Sequence, residues 1–150
     1  MTEETLPSLA EMRALNGAQF SDADYIHFVI GRCSLGPDFI QALVRLLNPE
    51  LAQIEGRFLV VAVGAPGRYQ AYRSQGQSPP EAQYWANLTE ISGLFANVGP
   101  ELAQEIALLV KDQWQKALDK CLQDQSQETC VLKDEAEGEV FITVRTVNES

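Results

Sequence analysis

The chain has 150 residues, 45% of them apolar, with 21 acidic against 11 basic side chains and a net charge of −10. That length lets one domain bury roughly two-thirds of its unfolded surface, so no disulfide or metal is required to hold it, and the apolar share excludes a disordered chain. Nucleic acid and anionic membrane surfaces are disfavoured as partners because both are held by clustered Lys and Arg, and no apolar run approaches the length needed to cross a bilayer.

Met1 to Leu9 carries Glu3, Glu4 and Pro7 where a secretory signal would have a basic start and an apolar stretch, so a cytoplasmic protein is expected. Pro7 to Leu15 reads as a first helix closed by Asn16-Gly17. Ser21 and Asp24 have the spacing of a capping box ahead of Tyr25, Ile26, Phe28, Val29 and Ile30, which predicts a second helix. Phe39, Ile40, Leu43, Val44, Leu46 and Leu47 continue at helical spacing to Asn48-Pro49.

Phe58 to Val63 is an unbroken apolar run rich in valine, the pattern of a central strand covered on both faces. Pro66 to Gln75 is expected to be a short helix, with a returning strand over 68–73 as the alternative. Ser78-Pro79-Pro80-Glu81 combines an N-cap, a first-turn proline and an N3 glutamate, and predicts a helix from 79 to 96 with Trp85, Leu88 and Phe95 toward the core. A helix from about 100 to 123 follows, its apolar side built by Leu102, Ile106, Leu109, Val110, Trp114, Ala117, Leu118 and Cys121. The segments 129–133 and 139–147 flank an acidic turn and read as a hairpin. The expected fold is α+β, one domain with a mostly antiparallel sheet of about three strands covered by five or six helices.

The inventory of reactive groups is short. One histidine, His27, and three separated cysteines, Cys33, Cys121 and Cys130, give no zinc spacing and no paired disulfide set, which suits a reducing compartment. No phosphate loop, dinucleotide fingerprint or nucleophile elbow is spelled. His27 and Cys33 are six residues apart and face different sides of one helix, so Cys33 is expected to be a small buried residue and Asp24 a helix cap. Asp134, Glu135, Glu137 and Glu139 read as a solvated turn that also offers a contact to a basic partner, with too little of the calcium-loop pattern to hold that ion. The sequons at Asn87 and Asn148 carry no weight without export. No cofactor or metal is expected.

Two candidate sites remain. Gly64 and Gly67, with Arg68 and Arg73, sit where a strand enters a helix, and free backbone N–H groups there suit an anionic ligand. The same residues also serve a plain turn. Arg57, Arg68 and Arg73 with Tyr69, Tyr72 and Tyr84 have the composition of a protein-contact patch, the tyrosines being expected to keep partial exposure. The alternative is that these arginines pair with acidic residues of the chain itself.

Charge is unevenly shared: residues 1–75 hold 6 basic and 8 acidic side chains, a balance of −2, and residues 76–150 hold 5 and 13, a balance of −8. The leading expectation is therefore a non-enzymatic protein-binding module, of the inhibitor or immunity type, that occludes a basic toxin or effector. The alternatives are an anionic-ligand binder or enzyme at Gly64–Arg73, and a homo-oligomer joined along the 100–123 helix.

Overall fold

Serine caps start the first two helices. In the computed structural model, which describes residues 5–95 and 98–147, the Ser8 hydroxyl accepts the N–H of Glu11 while the Glu11 carboxylate accepts the N–H of Ser8, opening α1 (Leu9–Asn16). Ser21 and Asp24 repeat the device at α2 (Asp22–Cys33). Each box satisfies two of the N–H groups that a helix start leaves without partners. Pro37 then opens α3 (Pro37–Leu47). None of these three helices has a fully buried residue, and Cys33, expected to be buried, is exposed. Contacts within the structure group the chain into two compact units, with the boundary at Gln41–Ala42.

In the larger unit, β1 (Leu51–Ile54) and β2 (Arg57–Val60) form a hairpin. Its two-residue turn, Glu55-Gly56, has φ of 52° and 77°. Two left-handed residues are what matches a hairpin turn to the right-handed twist of its strands. Beyond Val60 the apolar run does not continue as a strand: Val61–Val63 form a 3-10 turn, with Val61 40% exposed. The expected six-residue central strand is thus four residues long. Its partner β1 ends with it, and Gly64, at φ 73°, turns the chain into α4 (Ala65–Ser74). The segment 68–73 is helical, so the returning-strand alternative is not adopted.

Ser78 caps α5 (Pro79–Asn87) as expected, accepting the N–H of Glu81. This helix stops nine residues earlier than the spacing predicts. Leu88 is extended, Thr89–Glu90 form a short strand β3, and Ile91–Leu94 form a single turn α6; residues 96 and 97 lie outside the described residues. The break has two causes: the Thr89 hydroxyl bonds the Asn87 carbonyl, and β3 supplies the missing partner along one edge of the terminal hairpin, where Thr89 pairs with Ile142 and Glu90 with Phe141.

The long helix α7 (Pro100–Cys121) is followed by β4 (Gln127–Asp134) and β5 (Glu139–Thr146), which pair in antiparallel register from Gln127 and Thr146 to Asp134 and Glu139. The fold is α+β: seven helices and two small antiparallel sheets, β1-β2 and β3-β5-β4, among the described residues. The terminal hairpin is therefore as expected, but the central strand is not in its sheet.

β2 nonetheless joins the two halves of the core. Phe58 and Val60 face a cluster with Val110, Trp114 and Leu118 of α7 and Val140, Ile142 and Val144 of β5. Leu59 faces the other way, into a second cluster with Ala65, Tyr69, Ala82 and Ala86 of α4 and α5. The expectation of a strand covered on both faces holds for these three residues. At α7 the buried side is Ala103, Ala107, Val110, Trp114 and Leu118, while Leu102 and Leu109, expected on it, are exposed. The apolar stripe of this helix is thus an inner face of the domain, anchored where Trp114 Nε1 donates to the Leu46 carbonyl at 2.8 Å.

Candidate functional site

The surface over the α5 start and the β4–β5 ends is shaped by how β2 is satisfied from its unpaired side. With no strand along that edge, its backbone groups meet amide side chains. The Phe58 N–H donates to Gln127 Oε1 at 2.8 Å and the Val60 N–H to Asn87 Oδ1 at 2.9 Å. Gln83 Nε2 and Asn87 Nδ2 both donate to the Phe58 carbonyl. Gln83, Asn87 and Gln127 are buried, and each bond replaces one that a sheet ladder would have made. The network reaches the surface at Thr146, whose hydroxyl donates to Gln83 Oε1 and accepts from Arg57 Nη1.

This arrangement turns the Ala82, Gln83, Ala86 and Asn87 side of α5 inward and presents Glu81 and Trp85 outward. Trp85, expected in the core, is 48% exposed. The expectation assumed a helix running on through Leu88 and Phe95; with the helix ending at Asn87, polar amides occupy its buried side. Half-buried Tyr84 meets Trp85 in a T-shaped contact, centroids 5.2 Å apart and ring planes at 86°, a favourable edge-to-face geometry. Beside them the cross-strand pair Arg145 and Glu128 forms an ion pair, Nη2 to Oε1 at 2.7 Å and Nε to Oε1 at 2.9 Å.

Together with Pro80, Glu81, Thr146 and Val147 these four side chains line an open groove of about 390 Å3. A second recess of about 480 Å3 shares Pro80, Thr146 and Val147 with it and adds Glu55, Gly56, Arg57, Asp124, Ser126 and Gln127. Glu128 holds the Arg145 guanidinium above its usual range by accepting from it. Asp124 is held below the usual carboxylate range by bonds from the Ser126 hydroxyl and N–H. Both groups are therefore charged at neutral pH.

The contact and ligand residues singled out from sequence fall in five places. Arg73 forms a two-point pair with Glu55, Nε to Oε1 at 2.9 Å and Nη2 to Oε2 at 3.1 Å, and its Nη1 donates to the Gln77 carbonyl. Tyr69 is fully buried, which corrects its expected partial exposure, and its hydroxyl donates to the same Glu55 at 3.0 Å. Glu55 is held below its ordinary range first by the Arg73 bond and then by Tyr69, while burial raises Tyr69. Tyr72 is half-buried against the second core cluster. The reading in which arginines pair within the chain thus applies to Arg73.

Gly64 and Gly67 stand at the opposite end of α4 from Arg73, about 9 Å away along the axis for the six residues from Gly67. Arg68 donates to the Val63 carbonyl at 2.6 Å. The corner and Arg73 are two separate places. Arg57 lines the second recess, where it bonds Thr146. Asp134 caps the β4–β5 turn, accepting the N–H of Ala136 and of Glu137, and Glu135, Glu137 and Glu139 crowd around it. Burial first, and then Glu90, Asp134 and Glu137, raise the Glu139 carboxyl. Asp24 caps α2 as expected, its pKa lowered by the bonds from Ser21. His27 is exposed. Among the described residues no group of three or more His, Cys, Asp and Glu is placed to hold a metal, and no helix is long and apolar enough to cross a membrane.

Of the expected contact residues Tyr84 alone lines the first groove; Glu81, Trp85, Glu128 and Arg145 were not foreseen. Glu81 and Trp85 at i and i+4 beside Tyr84 were a signal available in the sequence. The pairing of Glu128 with Arg145 was not, since it depends on the hairpin register. No family model, no curated protein and no solved structure matches the chain, so its function is argued from this geometry.

Proposed function

We propose that the chain is a protein-binding module of the inhibitor or immunity type, which covers the active surface of a basic partner. The observation that carries the reading is the half-exposed Trp85, which lines an open groove together with Tyr84 and Arg145. Trp, Tyr and Arg are the residues that most often dominate protein-contact energies. The balance of −8 over residues 76–150 steers a basic partner toward this half of the chain and speeds the encounter at low salt. A cytoplasmic setting belongs to the same reading, since Cys33, Cys121 and Cys130 are all free thiols.

The test is differential capture from the native lysate, comparing the wild-type chain, Trp85→Ala and, as a control on the exposed side of α7, Leu109→Ala. We expect a basic protein to be retained at stoichiometric level by the wild type and the control, to be released by high salt, and to be lost with Trp85→Ala. Retention of the same proteins by all three would remove the reading.

A further inference from the structure

We infer that the groove at Trp85 is a seat for one lysine or arginine side chain of the partner, its stem lying on the apolar part of the lining and its charged head between the indole and two carboxylates. The inference rests on the protein-binding reading and names what that reading leaves open, the group recognised.

The lining of the groove is of two chemical kinds. Pro80, Val147 and the body of Trp85 are apolar, whereas Glu81 and Glu128 bring two carboxylates against one guanidinium, that of Arg145. Both hydrogen bonds from Arg145 end on the same oxygen of Glu128, Oε1. Oε2 of Glu128 and both carboxylate oxygens of Glu81 have no hydrogen-bond partner among the described residues, so three acceptor oxygens on two carboxylates stand ready in the lining. Glu81 lies one helical turn before Trp85 and so on the same face of α5.

Three ligand classes can be weighed on that geometry. An anion would need Arg145, whose charge Glu128 already offsets. A bare cation would use the carboxylates and leave the indole and the other apolar lining unused. A lysine or arginine uses both, because its methylene stem covers apolar surface while its head keeps polar contacts. Tryptophan is also the aromatic ring that attracts a cation most strongly. The net charge of −10 favours the same class of partner at long range.

The chain's two tryptophans make the seat readable by fluorescence, since Trp114 is 1% exposed and Trp85 48%. The probes are a capped, labelled Gly-Arg repeat peptide of eight residues and its Gly-Glu counterpart. We expect the Gly-Arg peptide to shield tryptophan emission from iodide quenching and the Gly-Glu peptide to leave it unchanged. In anisotropy titrations of the labelled Gly-Arg peptide we expect Trp85→Ala and Glu81→Gln each to weaken binding about threefold. Trp85→Phe, which keeps an aromatic face, should lose less, and this variant keeps the test valid if Trp85→Ala fails to fold. Equal shielding by both peptides, or equal affinity of the Gly-Arg peptide for wild type and Glu81→Gln, would overturn the inference. Loss of the captured partner with Trp85→Ala would still uphold the protein-binding reading in that case, so the two fail separately.

Discussion

At the scale of single residues, Asn87 ties two strands to the helix that carries it. Its amide accepts from Val60 and donates to the carbonyls of Phe58, Gln83 and Val144, joining β2, α5 and β5. Replacing it with leucine of similar size leaves the buried Val60 N–H without a partner and removes the two amide N–H groups shared among the three carbonyls, of which Phe58 keeps the bond from Gln83 Nε2. An unsatisfied buried group costs about 1–3 kcal/mol, so we expect Asn87→Leu to lower the unfolding free energy by about 3 kcal/mol in urea titrations. A loss under about 1 kcal/mol would mean that water replaces the amide. Glu139 acts in the opposite sense. It sits directly across from Asp134 in the hairpin register, and its carboxyl is held above the ordinary range by burial and by three neighbouring acids. Like charges opposite each other destabilise a strand pair. A raised carboxyl means a penalty that is absent below the ordinary carboxylate range, grows as pH rises through it, and is complete above the raised value. Glu139→Gln should therefore melt at a higher temperature than the wild type at pH 7, with the difference vanishing near about pH 3. A constant difference across that range would contradict the assignment.

At the scale of elements, what the sequence announces are local caps and periods, and what it hides are pairings. Ser21 and Ser78 start their helices, and the Val140 to Val144 alternation places its strand, where expected, because each is decided within a few residues. Strand β1 was not foreseen: Glu55-Gly56 is a weaker hairpin signal than Asn-Gly or Asp-Gly, and the Glu55 conformation is fixed from afar by Arg73 and Tyr69. The same long-range dependence ended α5 early and placed Gln83 and Asn87 inside, where periodicity reserves the space for apolar side chains. Gly67 tests the reading of the corner as a turn. It lies within α4 without a positive φ, and a Cβ there meets nothing within 4 Å. Glycine inside a helix costs about 0.5–1 kcal/mol relative to alanine, so Gly67→Ala should raise stability by about that amount. A destabilised variant would show that Gly67 serves a close approach that alanine blocks.

At the scale of the molecule, two features with different origins meet on one surface. The buried amide network fixes which side of α5 points outward, and the acidic excess of residues 76–150 sets the sign of the field around it. The groove with Glu81, Tyr84, Trp85, Glu128 and Arg145 was only partly legible from sequence because it joins a helix start to a cross-strand pair 43 residues or more away in the chain. The central claim, that a basic partner is bound on this surface, is tested most directly by hydrogen exchange on the complex with the captured partner. Slowed exchange is expected at the start of α5 and in residues 143–147, with α7 and the Gly64–Arg73 segment unchanged. Protection confined to α7 or to Gly64–Arg73, with the α5 start exchanging as in the free chain, would contradict it.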